Sequence, residues 1–209
     1  MGKETEQKQE IVNQGVHTYS QEEAYVWPEE PVLREQLEWF QDQKLALMVH
    51  WGMYNQLGMV ASWALSDEDA EWSRKTVDWT DDGELFKRQY RALNRAFDPV
   101  AFQPEEWAKM AKECGFRYLI LTTKHHDGFC LWDTAYTEYK TTAEECPFHT
   151  HKYADIVRAM FDAFRKEGLG IGAYFSKADW HCPDYWEKEK VFTGKTTRNP
   201  TYDPKENPE

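Results

Sequence analysis

Three short apolar runs, each followed at once by polar side chains, constrain the fold of this chain more than any other feature. They cover residues 44–49, 117–123 and 169–175, and stretches with helical spacing of apolar residues separate them. Apolar strands that alternate with amphipathic helices are typical of a parallel sheet. Polar clusters at the carboxyl ends of such strands are typical of a (β/α)₈ barrel, whose active site lies on that face. The sequence therefore predicts an α/β fold of the TIM-barrel type.

Helical periodicity marks four further segments. The predicted helices are an entry helix from Pro31 to Phe40, one over Leu85–Phe97, one from Pro104 that Gly115 ends, and one that Thr150 caps and that ends before Gly168. Residues 53–82 have no clear periodicity, and such long connections are usually functional or disordered. Tryptophans in and beside this stretch, at positions 51, 63, 72 and 79, argue against disorder.

A doubly wound open sheet is the alternative fold, but its Gly-rich turn does not follow the first strand, which ends at Val49. A complete barrel takes about 250 residues, and only about the first three βα units are recognisable. We divide the chain into a polar lead over 1–30, the first part of a barrel over 31–186 and a polar tail over 187–209. The chain is therefore expected to be an incomplete barrel.

Composition excludes several classes of function. The chain has 25 Lys plus Arg against 37 Asp plus Glu, a formal net charge of −12, which disfavours nucleic acid as a partner. No apolar run approaches the ~20 residues of a membrane span, and the first ten residues lack the apolar core of a signal peptide. As written, the chain is expected to be cytoplasmic, although a longer parent protein with a leader could be exported.

The cysteines Cys114, Cys130, Cys146 and Cys182 are far apart and include no C-x-x-C pair. We expect free, mostly buried thiols rather than disulfides, zinc ligands or a redox pair.

Several motifs follow the predicted strands in order. They read H-W-G at 50–52, T-K-H-H-D-G-F-C-L-W-D at 123–133, Y-F-S at 174–176 and D-W-H at 179–181. In that order and spacing, over about residues 37–186, they resemble the barrel domain of the family 29 α-L-fucosidases. The resemblance implies a retaining exo-α-L-fucosidase that hydrolyses terminal α-L-fucosyl linkages of glycans and needs no cofactor.

The resemblance also implies a set of substrate-binding residues. His50, His125 and His126 correspond to histidines that hydrogen-bond the fucose hydroxyls, Trp63 to a tryptophan that packs on the sugar, and Tyr174 to a tyrosine of the same pocket. The chemistry is reasonable, because an imidazole both donates and accepts hydrogen bonds. Adjacent residues of a strand point in opposite directions. The paired histidines can therefore share a pocket only where the strand bends into its loop.

The sequence departs from the family pattern at two positions. The family often has Glu-Trp where this chain has Ser62-Trp63, which removes a carboxylate that could orient a hydroxyl. Phe175 stands where a second tyrosine is common.

Asp127, Asp133 and Asp179 are candidate catalytic carboxylates, because a retaining glycosidase needs two about 5 Å apart. Asp127 better fits a turn with Gly128, and Asp133 better fits a cap. The resemblance implies a nucleophile in a W-x-D motif at the fourth strand, and nothing after His181 matches it. We therefore expect no catalytic residue in this chain, with the nucleophile and acid/base beyond residue 209, and no activity of the chain alone.

Two other functions stay open. A metal-dependent TIM-barrel hydrolase could use polar residues at the strand ends, namely His50, His125, His126, Asp179 and His181. The His-x-His pair usual on a barrel strand is missing, so we predict no metal. The third interpretation is an inactive fragment that binds sugar weakly.

Overall fold

The computed structural model describes residues 26–65 and 71–182. The predicted lead over 1–30 and tail over 187–209 lie largely or entirely outside these residues, so their boundaries stay predictions. The described residues form two units, divided between Asp42 and Gln43. The first contains helix α1 (Pro31–Asp42), which begins at the predicted residue. The second contains β1 (Ala46–Val49), α2 (Gly83–Arg91), α3 (Pro104–Glu113), β2 (Tyr118–Lys124), α4 (Ile156–Lys166) and β3 (Gly170–Phe175).

The three strands form one parallel sheet in the order β1-β2-β3. Leu47 pairs with Leu119, and Leu119 pairs with Ile171. Each strand therefore pairs with the strand that follows it along the chain. Each observed strand lies within one or two residues of its predicted limits. The parallel α/β arrangement is thus confirmed, whereas closure of the sheet into a barrel of eight strands stays a prediction.

The sheet has one face in the hydrophobic core. Leu119 and Leu121 are fully buried, and Leu47 and Ile171 pack against the same core. On the other face Met48 is 49% exposed. A nearly continuous apolar run such as 44–49 is typical of a strand buried on both faces, and this expectation is wrong for β1 within the described residues, because their hydrophobic core lies on one side of it.

The helices α3 and α4 pack on each other, and α4 also contacts β2 and β3. The helix α3 ends as predicted: Gly115 has a φ of 83°, and the Phe116 N–H closes the last turn on the Ala111 carbonyl at 3.0 Å. The predicted start of α4 at Thr150 is wrong. Residues Pro147–Thr150 form a separate 3₁₀ helix, and the α4 cap is Asp155, whose carboxylate accepts the Arg158 N–H at 2.9 Å.

The segment predicted as one helix over 85–97 consists of two. Helix α2 ends at Arg91, a 3₁₀ helix covers Ala92–Ala96, and Phe97 is extended.

The long connection after β1 is built around aromatic side chains. Within the described residues it contains 3₁₀ helices at Met53–Leu57, Ala61–Leu65 and Glu71–Thr76. The Trp51 ring packs against Phe97, Phe102 and Trp107, with centroid distances of 6.1, 4.9 and 5.4 Å. The expectation of an ordered segment is confirmed where the structure describes it.

All four cysteines are free, as predicted, but only Cys130 and Cys146 are buried. No helix within 26–65 or 71–182 has the length and apolar character needed to cross a membrane.

Candidate functional site

The predicted site residues of the three strands lie together at one edge of the sheet. His50 follows β1, His125 follows β2, and their ring centroids are 5.5 Å apart. The Tyr174 ring lies 5.3 Å from His50 and stacks on His125 at 6.0 Å with 10° between the planes. Parallel pairing accounts for this, because the carboxyl ends of parallel strands meet at the same edge.

Trp63 reaches this cluster from the loop after β1. Its ring centroid is 6.0 Å from that of His125, 5.4 Å from that of His126 and 5.8 Å from that of Trp180. All five predicted site residues are therefore brought into one group, which we call the strand-end cluster: His50, Trp63, His125, His126 and Tyr174.

The adjacent histidines share this cluster because β2 loses its regular alternation first. The pairing of β2 with β3 is irregular between Thr122 and Lys124, and the strand ends at Lys124. The rings of His125 and His126 then lie edge to face, 4.8 Å apart. The sequence required the strand to bend into its loop where His125 and His126 lie, and the irregular end of β2 meets this requirement.

His125 is the most deeply placed of the histidines. It is 4% exposed, and its Nδ1 is hydrogen-bonded to the Ser62 hydroxyl. Burial, reinforced by His126, His50 and Lys124, lowers the pKa of His125 to about 3. The ring is therefore neutral throughout the physiological range of pH.

His126 is held by the segment that follows β3. Its Nδ1 is 2.9 Å from the Ala178 carbonyl oxygen, and its ring stacks on Trp180 at 4.6 Å with 17° between the planes. The backbone N–H of Trp180 also donates to the backbone carbonyl of His126 at 2.7 Å. Burial lowers the pKa of His126 and also that of His50.

Sequence reasoning missed two contributors to the cluster. Ser62 is fully buried, and it follows Ala61, a non-glycine residue with a φ of 49°. Tyr54 is 1% exposed, and its ring centroid lies 5.9 Å from that of His125. The sequence marks Ser62 only as a departure from the family pattern, without a role in the cluster, and Tyr54 has no signal beyond its place in the aromatic loop after β1.

Asp127 has a structural environment, as the turn prediction requires. It is 2% exposed, and its two carboxylate oxygens accept the Tyr90 hydroxyl at 2.7 Å and the Phe129 N–H at 3.1 Å. Gly128 beside it has a φ of 80°, and a Cβ there would come within 2.6 Å of Asp179 Oδ1. The turn therefore needs glycine.

The other two candidate carboxylates also support local structure. Asp179 Oδ2 pairs with Lys124 Nζ at 2.9 Å, and Asp179 Oδ1 accepts the His181 and Cys182 N–H groups at 2.9 and 3.0 Å. Asp133 accepts from Thr142 Oγ1 at 2.9 Å and Lys140 Nζ at 3.1 Å. The prediction that Asp133 is a cap is thus wrong, because the cap of the following helix is Asp155.

The residues suggested for a metal site do not converge as ligands. Within the described residues, no three His, Cys, Asp or Glu side chains are placed to hold a metal ion. His181 instead stacks on Tyr139 at 4.1 Å.

The strand-end cluster combines polar ring nitrogens with a setting that disfavours charge. Burial lowers the pKa of all three of its histidines, which disfavours the positive charge that would attract a phosphate or carboxylate. Neutral imidazoles beside aromatic faces suit a ligand with hydroxyl groups and an apolar side, because aromatic rings pack on its C–H surface.

Comparison with known proteins gives a consistent result. Residues 12–208 match the family model described as Alpha-L-fucosidase. The chain is 30% identical to the tissue α-L-fucosidase of Rattus norvegicus over 147 residues, which are 70% of this chain and 31% of the rat protein. The chain thus spans about a third of the length of the curated relatives it first matches.

Solved structures of bacterial relatives are similar to this one. The α-L-fucosidase isoenzyme 1 of Paenibacillus thiaminolyticus is 35% identical with a TM-score of 0.56, covering 72% of this chain and 30% of its own. The α-L-fucosidase AlfC of Lactobacillus casei, in complex with its α-L-fucose product, is 29% identical with a TM-score of 0.58. The match covers 81% of this chain and 48% of the AlfC chain.

Proposed function

The chain belongs to the α-L-fucosidase family, and we propose that it supplies the fucose-recognising part of a retaining exo-α-L-fucosidase. The substrate is a terminal α-L-fucosyl unit on a glycan, and no cofactor takes part. The strands β1, β2 and β3 are the first three of a (β/α)₈ barrel in this proposal.

One observation carries the proposal: histidines from two strand ends, with pKa values lowered by burial, lie beside a tryptophan and a tyrosine. Neighbouring centroids in the strand-end cluster are 4.8 to 6.0 Å apart. Such a group offers several uncharged hydrogen-bonding nitrogens beside apolar ring faces. Fucose has the matching features, because it carries vicinal hydroxyls on one part of the ring and a methyl group on another.

We place the reacting carboxylates outside this chain. Retaining hydrolysis needs a carboxylate that attacks the anomeric carbon while a second group protonates the departing oxygen. Water then cleaves the fucosyl ester, and the second group takes the proton from that water. Asp127, Asp133 and Asp179 are all engaged by donors of their own surroundings, which supports assigning these two roles to other residues.

Recognition is tested by calorimetric titration of the chain with L-fucose and with D-fucose, its mirror image. We expect binding of L-fucose and at least about tenfold weaker binding of D-fucose, because only one enantiomer meets all the polar groups. The variant His125→Ala should lose L-fucose binding, whereas His149→Ala, at an exposed histidine outside the cluster, should retain it. Equal binding of both enantiomers would overturn the assignment of the sugar.

Placement of the carboxylates is tested separately with an aryl α-L-fucoside. We expect no turnover by these 209 residues, and turnover with retention by a longer product of the reading frame that contains them. Turnover by the chain alone would show that the carboxylates are within it.

A further inference from the structure

The two adjacent histidines of the strand-end cluster are held by different kinds of hydrogen-bond partner. Nδ1 of His125 faces a serine hydroxyl, and Nδ1 of His126 faces a backbone carbonyl. A neutral imidazole carries one proton, so the partner of Nδ1 decides whether Nε2 donates or accepts. The two rings can therefore present different groups to the same ligand.

For His126 the assignment follows from the carbonyl. The Ala178 oxygen, 2.9 Å from His126 Nδ1, can only accept a hydrogen bond. Nδ1 must carry the proton, which leaves Nε2 unprotonated. The Trp180 ring stacks on His126 at 4.6 Å, and the backbone N–H of Trp180 donates to the backbone carbonyl of His126 at 2.7 Å, so the segment that carries Ala178 is held against His126.

For His125 the assignment follows from the burial of Ser62. The Ser62 side chain is fully buried, and in the described part of the chain His125 Nδ1 is the hydrogen-bond partner of its hydroxyl. If Nδ1 were the donor, the hydroxyl proton would have no acceptor there, and an unsatisfied buried donor is costly. The hydroxyl therefore donates to Nδ1, and the imidazole proton is on Nε2.

The backbone supports this arrangement. Ala61 has a φ of 49°, in the left-handed region that non-glycine residues rarely adopt. This conformation begins the 3₁₀ helix Ala61–Leu65, in which Ser62 is sealed from solvent. Backbone strain at such a position is typically maintained where the side chain it places has a specific role.

We propose that Ser62 is a positioning residue that holds His125 as an Nε2–H donor, so that His125 and His126 form a donor and acceptor pair. Their ring centroids are 4.8 Å apart, a spacing suited to two neighbouring hydroxyls of one sugar. One hydroxyl oxygen accepts from His125, and the other hydroxyl donates to His126. This inference rests on the proposed function for the identity of the ligand, but the tautomers themselves do not depend on it.

Long-range ¹H–¹⁵N correlation spectra of the imidazoles test the assignment in the free protein at pH 7. The expected spectrum has His125 protonated at Nε2 and His126 protonated at Nδ1, with signals assigned by loss in the His125→Gln and His126→Gln variants. The same tautomer on both rings, or His125 protonated at Nδ1, would overturn the proposal.

Substitutions at Ser62 test its part in this pattern. Ser62→Ala should shift the His125 signals toward a mixture of tautomers and weaken L-fucose binding by about tenfold. Ser62→Thr, which keeps the hydroxyl, should restore the parent spectrum. Ser176→Ala removes another buried serine hydroxyl, one with no partner among the described residues, and should leave the spectrum unchanged.

The outcomes separate this inference from the proposed function. Opposite tautomers that depend on Ser62, in a chain that does not bind L-fucose, would support the positioning role and refute the sugar assignment. Binding of L-fucose with a His125 tautomer indifferent to Ser62→Ala would refute the positioning role alone.

Discussion

The substitution Tyr90→Phe removes the hydroxyl that Tyr90 contributes to its buried pair with Asp127 and leaves the volume of the side chain almost unchanged. Tyr90 is fully buried, and its hydroxyl donates to Asp127 Oδ2 at 2.7 Å. Asp127 retains the Phe129 N–H at 3.1 Å as its other donor. The variant therefore measures what one hydrogen bond contributes to a carboxylate that solvent does not reach.

The contribution of Asp127 to the free energy of unfolding should depend on pH. Burial raises the pKa of Asp127 from 3.8 to about 6, and the hydrogen bond from Tyr90 opposes this rise. Because the folded-state pKa is the higher one, the stability that Asp127 contributes is fully present below pH 3.8 and is lost as the pH rises through 6. One pKa unit corresponds to about 1.4 kcal/mol, so this loss is about 3 kcal/mol.

The cost of Tyr90→Phe follows the same titration. At pH 8 the carboxylate is ionised, and a hydrogen bond to a charged group contributes about 1.5–3 kcal/mol. At pH 5 it is largely protonated, and the bond contributes about 1 kcal/mol. The variant should therefore lower the free energy of unfolding by roughly twice as much at pH 8 as at pH 5.

Urea unfolding followed by tryptophan fluorescence at both pH values gives these free energies. The matched control is Tyr136→Phe, the same chemical change on a side chain that is 98% exposed, which should have little effect at either pH. An equal cost of Tyr90→Phe at pH 5 and pH 8 would refute the assignment of a titrating, buried Asp127.

Two further predictions concern other buried groups. Asp179→Asn leaves the buried Lys124 ammonium without its anionic partner and should lower the free energy of unfolding in urea by about 3 kcal/mol. Asp133→Asn, at a carboxylate that is 64% exposed, should have little effect, and equal losses in the two variants would contradict the argument. Cys114 is exposed, whereas burial raises the pKa of Cys130 to about 12. A disulfide reagent at pH 8 should modify Cys114 first, as mapped by peptide mass spectrometry, and early modification of Cys130 would contradict its burial.

The elements that could be predicted from the sequence are those with a strong local pattern. The apolar runs defined β2 and β3 to within one residue, and Pro104 with Gly115 set both ends of α3. These signals are local, because a proline fixes its own φ and a glycine adopts positive φ without a partner.

The errors occurred where two residues competed for one role. Thr150 and Asp155 are both good N-cap residues, but Thr150 is the last residue of the 3₁₀ helix that Pro147 begins, and Asp155 caps α4. Burial of Met48 was also misjudged, because an apolar run does not say which layers cover each face of a strand.

The candidate site, too, could be predicted from the sequence only in part. The positions of His50, His125 and Tyr174 could be anticipated, because strand ends of a parallel sheet converge whatever their side chains are. Which ring nitrogen of His125 and of His126 carries the proton could not be anticipated. It depends on Ser62 and Ala178, which lie 63 and 52 residues from the histidines they contact. No local pattern records such pairings. A sequence of this class can therefore indicate which groups meet a sugar, while the loops decide which of them donate and which accept.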